Sequence, residues 1–208
     1  ADNGIIVTGS ARTQATADNA VWTLSVSLSS TKVADAVTKV GSDVDAVTKY
    51  LKSGGIPADA LTLGPVSTYA NEEYLNGNNT GRILSYRASR DITVRTKDVQ
   101  LVSKLSQGIG VILQTGVSVN NYGPQYYIST LQELRPQLLE EAMKDAKVRA
   151  IAITKAVGGS VGSVVSVKSG VFQVTTPDST MTADFGAYDT STIEKTVTST
   201  VSVTFKTK

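Results

Sequence analysis

The sequence predicts an α+β fold: a mixed, largely antiparallel sheet with three helices, one of them long and in the C-terminal half, and a long hairpin. Three observations predict it. Apolar residues alternate with a period of two in several segments, they recur at steps of three and four in three others, and hairpin-type turns separate the strands where a doubly wound fold would place helices. The expected order is strand, strand, helix, strand, strand, helix, strand, helix, strand, strand.

Ile5 and Val7 alternate with Ile6 and Thr8 up to Gly9, giving a first strand. Trp22, Leu24, Val26 and Leu28 then point one way and Thr23, Ser25 and Ser27 the other, as in a half-buried strand. From Lys32 the period changes. Val33, Val37, Val40, Val44, Val47 and Leu51 form one helical stripe that stops at Ser53-Gly54-Gly55, where glycine permits a left-handed cap. Valine is a middling helix former and Gly41 interrupts the run, so packing has to hold this helix.

Residues 61–69 and 84–94 read as the strands of a long hairpin, with Asn76-Gly77 and Asn78-Asn79-Thr80-Gly81 as turn material. Arg90 interrupts the apolar face made by Leu84, Tyr86, Ala88, Ile92 and Val94. Asp98 suits the N-cap of a short helix carrying Leu101, Val102, Leu105 and Ile109. Another strand region, 117–128, is broken at Tyr122-Gly123-Pro124.

Thr130-Leu131-Gln132-Glu133 offers a capping box, and Leu134, Leu138, Ala142, Ala146, Ile153 and Val157 continue on helical spacing to Gly158-Gly159. Pro136 should kink this helix or mark its first turn. Val161, Val165 and Val167 begin a strand that could reach Val174, and Val197, Val201, Val203 and Phe205 alternate with Thr and Ser in the last one. The polar stretch 175–192 between them carries Met181, Phe185 and Tyr188 without a periodic element to bury them, and is expected to be disordered or docked.

A chain of 208 residues suffices for one domain, or for two packed subdomains at about 1–97 and 98–208. With 40% apolar and 18% charged residues it is globular and needs no staples. The net charge of +2 comes from Lys and Arg scattered among Asp and Glu, so nucleic acid is not an expected partner. There is no Cys and no His, which removes disulfides, thiolate catalysis, the commonest general base and the commonest metal ligands. No cofactor and no enzymatic turnover are expected. The glycines at 158, 159 and 162 follow a helix instead of opening one, which disfavours a nucleotide site. No apolar run reaches the ~20 residues of a membrane-spanning helix. The start at Ala1-Asp2-Asn3-Gly4 fits either removal of a signal peptide or a chosen cloning boundary.

Candidate contact residues fall in two sets. Tyr122, Tyr126 and Tyr127 form an aromatic concentration that could face a ligand, a second subunit or the edge of the core; Met181, Phe185 and Tyr188 could dock across a subunit boundary. Arg87 and Arg95 share a strand face with Asp91, suited to an anion, an ion-pair row or a subunit contact. Glu72 and Glu73 are adjacent but point to opposite faces of a strand, which does not serve acid/base work. Glu140 and Lys144 describe an exposed helix face.

Four blocks carry a likeness: Ile5-Ile6-Val7-Thr8-Gly9 with Asp18-Asn19-Ala20; Leu51 with Gly55-Ile56 and Asp59; Tyr86-Arg87-Ala88-Ser89-Arg90-Asp91-Ile92-Thr93-Val94; and Ala142, Ala146 and Ala150 through Ala156-Val157-Gly158 and Gly162-Ser163-Val164 to Val201-Ser202-Val203-Thr204-Phe205. In that order they resemble the SIMPL-domain family, represented by YggE-like proteins and periplasmic immunogenic proteins associated with the outer membrane of Gram-negative bacteria. Two departures bear on local turns: Ile193-Glu194-Lys195 stands where the family has Pro-Gly, and Ser10-Ala11 follows Gly9. The resemblance implies an exported, periplasmic or otherwise extracytoplasmic protein with a cleaved signal peptide and no known enzymatic activity. It further implies ring-like or channel-like homo-oligomers and a loose link to envelope or oxidative stress. The expected partner is therefore the chain itself, with an envelope protein or membrane surface as the other class. The competing reading is a binding module for a periplasmic peptide, glycan or lipid.

Overall fold

A computed structural model describes residues 4–179 and 186–208. The α+β class holds, with three helices of nine or more residues and a long hairpin, but the strands divide into two mostly antiparallel sheets. The chain forms two compact units, one of residues 18–126 and one of residues 1–17 with 127–208. Residues 97 and 98 lie inside the contiguous unit.

In the contiguous unit, β2 (Asn19–Ser30) lies antiparallel to β5 (Asn78–Thr96). Short strands flank this pair. β3 (Leu61–Leu63) and β4 (Ser67–Leu75) line one side, and β6 (Val119–Asn121) and β7 (Gln125–Tyr127) the other. Helix α1 (Val33–Ser53) packs on β2 and β5. Its buried stripe is Ala36, Val40, Val44, Val47 and Leu51, whereas Val33 and Val37 of the expected stripe are exposed. Burying each Val or Leu contributes roughly 1.5–3 kcal/mol, against a propensity deficit under about 0.7 kcal/mol per valine, so packing decides this helix. Gly41 faces open space, and Gly55 takes the expected positive φ after the last turn, at 114°. Trp22 is fully buried, and its indole N–H donates to Asn121 Oδ1 at 2.8 Å.

The hairpin turns on Asn76-Gly77 alone, with φ of 51° and 80°. Asn78 to Gly81 belongs to β5, and Gly81 at φ 79° lies where the register shifts twice between Asn71 and Tyr74. Asp98 caps α2 (Val99–Gln107) by accepting from the Leu101 N–H at 3.1 Å. A single turn, α3 (Gly110–Leu113), follows.

In the other unit, β1 (Gly4–Thr16) and β11 (Glu194–Thr207) pair over their whole length. β8 (Val161–Ser169) and β9 (Gln173–Thr175) share the other side of β11, and β10 (Ala187–Tyr188) extends β9. The strand expected from Val161 towards Val174 stops at Ser169 because Gly170 turns tightly against Thr200, leaving no room for a Cβ. Helix α4 (Leu131–Ala156) crosses β1 and β11 with a stripe of Leu138, Ala142, Ala146, Ala150 and Thr154. Ile153 and Val157, expected on that stripe, are exposed. The stripe steps by four because alanine lets the helix backbone itself rest on the sheet. A Cβ on Gly9 would collide with the Ala142 carbonyl and lie 2.6 Å from the Ala146 nitrogen. The capping box does not form: Thr130 accepts from the Glu133 N–H through its backbone oxygen, and its side chain makes no cap. Pro136 sits inside the helix in its second turn, past the start expected for it.

Candidate interaction site

The discontinuous unit carries an open cleft of about 410 Å³ beside the edge of β1, lined by Ile6, Val7, Thr8, Arg149, Ala152 and Ile153. Its origin is local. Val7 points to the helix and is buried with Val203 and Phe205, while Ile6 points away and is 72% exposed. Arg149 Nε donates to Asp145 Oδ2 at 3.0 Å, and the same oxygen accepts the Ser10 backbone N–H at 2.8 Å. The carboxylate therefore neutralises the guanidinium and caps the strand edge at Ser10. Apart from Thr8 and Arg149 the walls are apolar, and the described lining holds no carboxylate pair and no nucleophile beside a base. Such a surface suits burial of an apolar side chain. The helix continues the theme: Val148, Ile151, Ile153 and Val157 are all exposed, Val157 at 83%.

Tyr127 and Tyr188 do come together, their ring centroids 5.8 Å apart, and the Tyr188 hydroxyl accepts the Ile128 N–H at 2.9 Å. Nearby, Arg135 of α4 stacks over Phe172, in the link between β8 and β9, at 5.1 Å. Met181 and Phe185 lie outside the described residues. Lys195 is fully buried and its Nζ donates to the Asp189 carbonyl at 2.6 Å. Burial lowers its pKa, and the neighbouring Asp189 partly opposes this.

In the contiguous unit, Tyr122 is 83% exposed on its turn, whereas Tyr126 is buried. Arg87 is half-buried and donates to Ser29 Oγ at 3.4 Å; Arg95 is exposed opposite Val21, and Asp91 faces Ser25. Among the described residues, Arg87, Asp91 and Arg95 form no ion pair, because β2 presents them serines and valine where opposite charges would be needed. Arg90 is tolerated on the apolar face because its Nε donates to the Gly64 carbonyl at 2.7 Å, in the gap between β3 and β4. Glu72 accepts from Asn79 at 2.6 Å and Glu73 faces Arg82 at 3.5 Å, so the two carboxylates diverge. Tyr69, Tyr74, Leu75, Ile83 and Leu84 leave the hairpin apolar and exposed. Glu140 and Lys144 pair at 3.2 Å on the outside of α4.

The cleft was not among the sequence expectations. Its signal was Ile6, the one large apolar residue on a strand face that otherwise carries Gly4, Thr8, Ser10, Arg12, Gln14 and Thr16, together with apolar residues of α4 lying off the alanine stripe. Among the described residues, no group of three or more His, Cys, Asp or Glu side chains could hold a metal ion, and no helix is long and apolar enough to cross a membrane.

A family model described as SIMPL, protein of unknown function (DUF541), matches residues 5–205. No curated protein matches the chain. Among solved structures, a hydantoinase/carbamoylase family amidase from Burkholderia ambifaria shows 13% identity and a TM-score of 0.28, over 61% of this chain and 34% of the amidase. A hydrolase from Listeria innocua shows 8% identity and a TM-score of 0.21, over 95% of this chain and 91% of the other. The chain thus spans about a third of the length of the amidase.

Proposed function

Because the chain belongs to the SIMPL family, a family of unknown function, we propose that it works without turnover, as an exported cell-envelope protein that assembles with copies of itself into ring-like or channel-like oligomers. The observation that carries this reading is the set of large apolar side chains that the discontinuous unit leaves in water: Val148, Ile151, Ile153 and Val157 on α4, Ile6 on the far face of β1, and Val164, Val165 and Val167 on β8. Such side chains gain by burial against a second copy. The placing in the envelope and the link to envelope or oxidative stress rest on membership of this family. Light scattering coupled to gel filtration tests the reading: an oligomer at micromolar concentration is expected, and a monomer would count against it.

A second reading rests on the hairpin, whose exposed Tyr69, Tyr74 and Leu75 fit a binding module for a peptide, glycan or lipid. Tyr126 is buried and unsuited as a probe, so the test is Tyr69→Ser with Tyr74→Ser. Loss of ligand capture with assembly intact would favour this alternative.

A further inference from the structure

We infer that the neighbouring copy binds by laying its β8 edge parallel to the β1 edge, so that one sheet continues from subunit to subunit. The inference rests on the self-assembly reading and names its interface. Both edges belong to one sheet, in the order β1, β11, β8, and among the described residues each is unpaired on its outer side.

Hydrogen-bond phase is the first support. Ser10 turns its N–H away from β11, towards Asp145, so the even residues of β1, Ile6 and Thr8 among them, present their backbone groups to the free edge. On the opposite side, the Gly170 N–H donates to the Thr200 carbonyl, so Ser166 and Lys168 face β11 and Val167 and Ser169 face outward, up to the register shift before Ser166. Val7, Val203 and Val167 lie on one level across the sheet. A copy added without stagger sets Val167 level with Val7 of the next, between Ile6 and Thr8, which is the slanted bonding of a parallel pair. The same register keeps inward side chains on the helix side in both copies.

Shape is the second support. Val164 and Val167 are 47% and 49% exposed on the single chain. Val167 is level with Val7 through Val203 and Val164 with Ile5 through Phe205, so both fall on the helix side, against the cleft walled by Ala152 and Ile153. Charge guards neither stretch: the edge from Gly4 to Thr8 has no charged residue, and β8 has only Lys168. Asp145 ends the open stretch by occupying the Ser10 N–H, which limits pairing to the segment beside the cleft. Joining two different edges makes a heterologous contact, which closes as a ring or runs on as a filament.

The chain has no cysteine, so engineered thiols report without background. Thr8 and Lys168 share one level through Ser202, and adjacent strands hold Cα atoms within disulfide reach. The full-length double variant T8C/K168C should give an oxidised ladder of dimers, trimers and higher species. Each single variant alone should give none, and an equimolar mixture of the two should give dimers only. T8C/S166C serves as a second pair, reading a register shifted by two residues. Val167→Lys, checked for folding by circular dichroism, should weaken association at least tenfold. An oligomer by light scattering that neither cysteine pair cross-links overturns the edge pairing and leaves self-assembly standing. A monomer at micromolar concentration overturns both.

Discussion

The two units solve the same problem, one sheet under one helix, with opposite materials. In the contiguous unit α1 meets its sheet through Val40, Val44, Val47 and Leu51 over Trp22, and volume fills the interface. In the discontinuous unit α4 meets its sheet through Ala142, Ala146 and Ala150 over Gly9, and the interface works because volume is missing. Their edges differ too. β3, β6 and β7 are three residues each, and β4 carries two carboxylates and two register shifts, all devices that discourage further pairing. β1 runs for 13 residues without a break in register, and β8, whose two shifts against β11 lie towards its start, keeps register from Ser166 to Ser169. One sheet is finished and the other is left open to extension.

Substitutions of opposite sense should separate the two kinds of packing. Trp22→Ala leaves a large cavity and removes one of the hydrogen bonds to Asn121, and should cost about 4 kcal/mol in urea unfolding. Gly9→Val adds volume where α4 backbone blocks it, and should cost about 3 kcal/mol; a tolerated valine would show that the close approach is not needed. Asp98→Ala removes the cap of α2 and should lower stability by about 1 kcal/mol in the same assay. Gly41→Ala, on the open face of α1, should raise stability by roughly 0.5–1 kcal/mol, because an added methyl meets nothing and helix propensity improves. If Gly41→Ala destabilised the protein, the contrast between the solvent face of α1 and the buried approach at Gly9 would fail.

Much of this was legible from local pattern. The strand at Trp22 to Leu28, the Asp98 cap and the Asn76-Gly77 turn follow from side-chain chemistry acting within a few residues. Two helix stripes were read too broadly, because valines at 33 and 37 and apolar residues at 153 and 157 match helical spacing without facing a core. The division into two sheets was not legible, since alternation tells which face of a strand is apolar but not which distant strand it joins. For the same reason the cleft stayed hidden. Ile6 and Ile153 are ordinary in their own segments, and only the packing of α4 on β1 brings them together.

The pairing of β1 with β11 links Gly4 to Lys206 and Thr16 to Glu194, residues almost the whole chain apart. Contacts of that separation form slowly, since loop closure precedes any reward. Residues 18–126 are synthesised before β11, and β1 waits for its partner throughout. Until then the apolar strand Ile5 to Val7 is bare, so a chaperone that shields this segment would raise the yield of this protein more than one acting on the folded protein.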